Sequence, residues 1–93
     1  MVKRNVLSAE GSLMVVKVEI EAGFEGDTDQ HPEEQTCYLE KGKLEFDLAG
    51  DKKILNEGDT QYVPSNEKHR VKVLEDCVII DVFSPVRQDL LDT

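Results

Sequence analysis

Apolar and polar residues alternate with a period of two along most of the chain, the pattern of strands with one buried face. In Met14–Ile20 one face carries Met14, Val16, Val18 and Ile20, and the other Val15, Lys17 and Glu19. In Lys43–Leu48 the apolar face is Leu44, Phe46 and Leu48, and the polar face Lys43, Glu45 and Asp47. The same pattern predicts strands at Gln35–Leu39, Lys52–Leu55, Gln61–Val63, His69–Leu74 and Cys77–Phe83, runs rich in Val, Ile, Tyr and Phe. Turn residues separate them: Gly23, Gly26, Gly42, Ala49-Gly50-Asp51, Asn56-Glu57-Gly58-Asp59 and Pro64-Ser65-Asn66. No long stretch has helical period, and Val86–Leu91 has room for one short helical turn. Short strands at this spacing predict an all-β antiparallel sandwich or barrel, folded as one domain over residues 1–93.

Cys77–Phe83 departs from simple alternation. Cys77, Ile79 and Phe83 share one face with Asp81, while Val78, Ile80 and Val82 make the other face apolar as well. If the first face looks into a barrel, the second needs cover, either from the N-terminal strand of the same chain or from a second copy in a homodimer.

Charge narrows the partners. Twenty acidic residues against eleven basic ones give a net charge of −9, a field that repels a phosphate backbone and argues against nucleic acid. An anionic ligand would need a local cationic group. No apolar run is long enough to span a bilayer, and the basic start MVKRNVLSAEG has no apolar segment behind it, so the expected location is the cytoplasm. Cys37 and Cys77 form no CxxC pair and read as buried thiols in a reducing compartment.

Two stretches hold the candidate chemistry, and each contains one of the two histidines: Gly26–Gln35 with His31, and Gly58–His69 with His69. Asp29, His31 and Gln35 stand at odd-numbered positions that an extended backbone would turn to one face. His69 opens another strand, and pairing of the two would gather nitrogen and oxygen donors suited to a borderline metal. Ordinary surface-loop residues would give the same composition. Glu33 and Glu34 are adjacent acids; by parity Glu33 shares the face of His31 and Glu34 points away.

These stretches resemble the two motifs of the cupin family. Gly58, Pro64, Asn66 and His69 fit the second motif along its length, a glycine, five residues, a proline, one residue, a small turn residue, two residues and a histidine. His31, Gln35 and Gly42 fit the second histidine, the acid or amide ligand and the turn glycine of the first motif. Where the family usually has the first histidine this chain has Asp29. The ending, Asp81-Val82-Phe83-Ser84-Pro85-Val86-Arg87, is similar to that of a pectin-degradation (KdgF-like) subgroup that converts unsaturated monouronates into linear keto sugars.

The resemblance implies a six- to ten-stranded double-stranded β-helix, a jelly-roll-like barrel; the short chain and the apolar second face of Cys77–Phe83 add the expectation of a homodimer. It implies a divalent metal, Zn, Ni, Mn or Fe, on Asp29, His31, Gln35 and His69. It also places Asp81, Phe83 and Arg87 beside that metal, with Asp81 and Arg87 as catalytic groups and Phe83 and Arg87 as substrate contacts. The residues themselves leave a plain Asp81–Arg87 salt bridge equally open. The expected activity is ring opening and ketonisation of a small polar, sugar-acid substrate. A binding or sensing cupin without turnover and a metal-dependent dioxygenase remain as alternatives.

Overall fold

A computed structural model describes residues 1–91. It contains six strands, β1 (Val2–Glu10), β2 (Leu13–Ile20), β3 (Glu34–Leu48), β4 (Asp51–Leu55), β5 (Thr60–Val63) and β6 (His69–Ser84), and one helical turn, α1 (Gln88–Leu91). The strands pair antiparallel in the order β1-β2-β6-β3-β4, with β5 also on β3. This is the expected all-β class, at the lower end of the expected strand number.

The pairs of short strands read at residues 35–39 and 43–48, and at 69–74 and 77–83, are in fact two long ones. β3 and β6 run antiparallel along their whole lengths, with register shifts between Leu39 and Leu44. At that bend Gly42 has a φ of 98°. A Cβ there would lie 2.2 Å from the Asp76 carbonyl oxygen, so the close crossing of the two strands requires glycine. The bend divides the sheet. The first half of β3 lies between β5 and the second half of β6; its second half lies between β4 and the first half of β6.

The alternating faces meet in one core. From β2 come Met14, Val16, Val18 and Ile20; from β3 Cys37, Leu39, Leu44 and Phe46; from β6 Val73, Cys77, Ile79 and Phe83; and Leu55 and Val63 complete it. Each large side chain removed from water contributes roughly 1.5–3 kcal/mol.

β1 has no counterpart among the strands read from alternation. Most of its residues are exposed, because it is an edge strand paired only with β2. β2, the first strand read from alternation, pairs edge to edge with β6, so neither it nor β1 lies over the outer face of β6, where Val78, Ile80 and Val82 are half-buried. Of the two kinds of cover considered for that face, the N-terminal strand is not the one. Among the described residues no helix is long and apolar enough to cross a membrane.

Candidate functional site

The two motif stretches meet at one end of the core. Asp29 and His69 form an isolated antiparallel bridge, with Asp29 N–H donating to the His69 carbonyl at 2.8 Å and His69 N–H donating back at 3.0 Å. Residues so paired present their side chains to one side. The chain then bends at Pro32 and Glu33 before β3 begins, so His31 and Gln35 converge by a loop and not by a continuous extended strand. The turn of the second motif holds that loop in place. Asn66, at a φ of 64°, donates its N–H to the His31 carbonyl at 2.8 Å. Gln30 Nε2 donates to the Asn66 carbonyl at 2.8 Å, and Ser65 Oγ to the Pro32 carbonyl at 2.6 Å.

Hydrogen bonds fix both imidazoles. His31 Nδ1 lies 2.9 Å from the Glu33 carbonyl and His69 Nδ1 lies 2.9 Å from the Glu67 carbonyl. A carbonyl only accepts, so each Nδ1 carries the proton and each neutral ring keeps its lone pair on Nε2. Both rings are buried and meet edge to face with centroids 4.9 Å apart. Burial holds the His69 pKa below its ordinary value, against the opposing pull of the Glu67 carbonyl, and the facing His31 lowers it further. A neutral imidazole is the state a metal needs.

Ligand atoms of Asp29, His31 and His69 lie within 4.8 Å of one another. Small side-chain adjustments bring that spacing to the roughly 3–4 Å expected between ligands about 2.1 Å from one ion. Gln35 adds a fourth donor. Its Nε2 donates to Asp81 Oδ1 at 2.9 Å, which turns its Oε1 to His31 Nε2 at 3.1 Å. Two acceptors thus face each other, and their lone pairs need a proton or a cation between them. The donor set fits a divalent metal: two imidazole nitrogens, a carboxylate and an amide oxygen, a mixture suited to borderline ions. Glu33 is not in the cluster; its carboxylate lies 3.7 Å from Nδ1 of His31, on the far edge of the ring. Glu34 pairs with the Tyr62 hydroxyl.

The cluster opens on a cavity of about 290 Å³. Asp81, Phe83, Arg87, Asp29, Gln35 and His69 all contribute to its lining. The Phe83 ring lies 5.7 Å from that of His31, and the Arg87 guanidinium sits 5.1 Å over Phe83. Asp81 is surrounded by protein yet faces the cavity. Burial pushes its carboxyl up to about 6, although hydrogen bonds from Gln35 and Cys37 and the charges of Arg4 and Arg87 pull the other way. Its neighbour Cys37 has its thiol raised above the ordinary range, first by burial and then by the charge of Asp81.

The plain salt bridge between Asp81 and Arg87 is not formed. Arg87 instead grips Asp89 with two nitrogens, Nη2 at 2.7 Å and Nε at 3.2 Å, and its Nη1 lies 3.6 Å from Asp29. Arg4 and Arg70 line the same cavity, and alternation of apolar residues gave no sign of either.

Bent paired strands around a mouth that gathers both histidines define a class, and comparison with known proteins agrees with it. The cupin domain profile matches residues 16–83, and the chain belongs to the cupin family. It is similar to the pectin degradation protein KdgF of Dickeya dadantii (strain 3937), with 37% identity over 92 residues, 97% of this chain and 84% of that protein. Among solved structures it is similar to KdgF from Halomonas sp., with 34% identity and a TM-score of 0.92 over 96% of this chain and 83% of the other. An RmlC-like cupin from Shewanella frigidimarina NCIMB 400 gives 32% identity and a TM-score of 0.91, with 96% and 80% covered.

Proposed function

We propose that this chain is a metal-dependent cupin that opens the ring of a small unsaturated uronate and yields the linear keto sugar. The observation that carries the reading is the cluster of Asp29, His31, Gln35 and His69 donors at a cavity that Asp29, Gln35 and His69 line together with the Asp81 carboxyl. Similarity to two KdgF proteins, one of them described as a pectin degradation protein, supports the substrate class. The cavity volume is near the lower bound for ligand pockets, about 300 Å³, and suits one sugar ring better than an oligosaccharide.

Asp29, His31, Gln35 and His69 would hold the metal, which supplies Lewis acidity to a ligand oxygen when bound. The remaining chemistry is proton movement. The anomeric hydroxyl loses a proton, the adjacent ring carbon–oxygen bond breaks to leave an aldehyde and an enolate, and the proton returns to the enolate carbon to form the ketone. The change is an isomerisation with no net gain or loss of atoms or electrons. One carboxyl that accepts the proton and gives it back is enough, and Asp81 is the candidate. Gln35 and Cys37 orient it. Phe83 forms an apolar wall for the ring, and Arg87 adds positive charge at the mouth, where a ligand acid must compete with Asp89 for its fork.

Two buried, unpaired thiols agree with the cytoplasm as the compartment, and the apolar outer face of β6 agrees with a homodimer.

A second reading, ligand binding without turnover, draws on the Arg87–Asp29 contact at 3.6 Å, since a metal must draw Asp29 away from that cation. One set of measurements separates the two. Elemental analysis of purified protein should find a divalent ion, Zn, Ni, Mn or Fe, and His69→Ala should lose it. Metal-loaded wild type should consume an unsaturated monouronate, seen as loss of its double-bond absorbance, and His69→Ala should not. Metal retained equally in both proteins would overturn the site. Metal bound without any consumption would favour the binding reading.

A further inference from the structure

The chain carries three arginines, Arg4, Arg70 and Arg87, and all three line the one cavity beside the metal cluster. None of its lysines does. In a protein of net charge −9 they offset the three acids on the same lining, Asp27, Asp29 and Asp81, and all three are the side chain whose planar fork matches a carboxylate. The three are not equivalent. Arg87 has its fork closed on Asp89 and its remaining nitrogen near Asp29. Arg70 also borders a charged groove with Glu25, Glu45 and Asp47. No hydrogen bond or ion pair among the described residues commits Arg4.

Strand register explains where Arg4 points. It pairs with Val18 on β2, and Val18 pairs in turn with Ile79 on β6. Val18 and Ile79 are core residues, so Arg4 shares the inward face. Asp81 lies one inward-facing pair further along, opposite Val16. Two strand spacings across and two residues along, roughly 12 Å in all, separate the backbones of Arg4 and Asp81, and both residues line the cavity.

We infer that Arg4, on the edge strand β1, is the residue that anchors the ligand's carboxylate and sets specificity for an acid over a neutral sugar. The inference rests on the sugar-acid reading above and adds to it the group that makes the choice. An edge strand is well placed for this role, because its inner face extends past the packed core to the cavity wall and its exposure leaves the fork open to an incoming acid.

The test is calorimetry of metal-loaded protein with D-galacturonate and with its methyl ester. The saturated ring lacks the double bond that turnover needs, so binding is read alone. Wild type should prefer the acid. Arg4→Gln should weaken galacturonate binding about ten-fold, the scale of a lost charge-assisted pair, and leave the ester unchanged. Arg4→Lys should fall between. Lys3→Gln removes the same charge from the opposite face of β1 and should alter neither. Full acid preference in Arg4→Gln would overturn the inference while leaving the sugar-acid reading intact. Equal loss for acid and ester would also overturn it, by showing that Arg4 serves only as a counter-charge for Asp81. If wild type binds acid and ester alike, the sugar-acid reading fails and the inference fails with it.

Discussion

The interior has a packed half and a hollow half. Leu39, Leu44, Leu55 and Val73 have 0–2% of their surface exposed and line no part of the cavity. Phe46, Ile79 and Phe83 belong to the same core but also face the 290 Å³ cavity, alongside His69, Gln35 and Asp81. β3 and β6 contribute to both halves. The packed half gains from every filled volume. The hollow half leaves volume unfilled and keeps a carboxyl away from bulk water, an arrangement that opposes folding and is of use only for binding and chemistry.

That contrast is broken most strongly by hollowing the packed half. Leu44→Ala should destabilise the protein by about 2–5 kcal/mol, read from urea or thermal unfolding. The folded fraction should keep its full complement of metal. Loss of metal at equal folding would mean that the two halves are mechanically coupled.

A smaller effect tests the hollow half. The folded pKa of Asp81, about 6, lies above the ordinary 3.8, so the native state binds the proton more tightly than the unfolded chain. The protonated form therefore favours folding. Its contribution is complete at low pH and is lost as pH rises from about 4 through 6. In chelator-treated protein, Asp81→Asn should match wild type near pH 4 and exceed it by on the order of 2–3 kcal/mol at pH 7. A difference that does not grow with pH would show that Asp81 carries no burial penalty.

The least effect is expected at the rim. Asp29→His restores the usual cupin ligand and removes the carboxylate that Arg87 faces at 3.6 Å. Zn or Ni should bind about ten-fold more tightly, close to 1.4 kcal/mol, in a chelator competition. Unchanged or weaker affinity would place Asp29 outside the metal's reach.

The alternation in Met14–Ile20 and Lys43–Leu48, the turn residues and the two motif stretches were enough to determine the all-β class, the inward faces and the residues that could meet a metal. These properties are local: period two assigns faces, and glycine and asparagine mark where the chain turns. Gly42 shows the limit, because its sequence context marks a turn, whereas the structure uses it as a bend inside one long strand, where β6 comes within 2.2 Å of the position a Cβ would take. Non-local pairing decided the rest. The Asp29–His69 bridge and the clamp of Asn66 on His31 join residues far apart in the chain. Arg87 chose Asp89 over Asp81 because a neighbour two residues away on a helical turn reaches the fork directly. β1 was hidden because an edge strand, solvated on most of its surface, has no need of the apolar alternation that reveals a strand. Arg4 is a single charged letter in that segment, and only the register of β1 on β2 turns it towards the cavity.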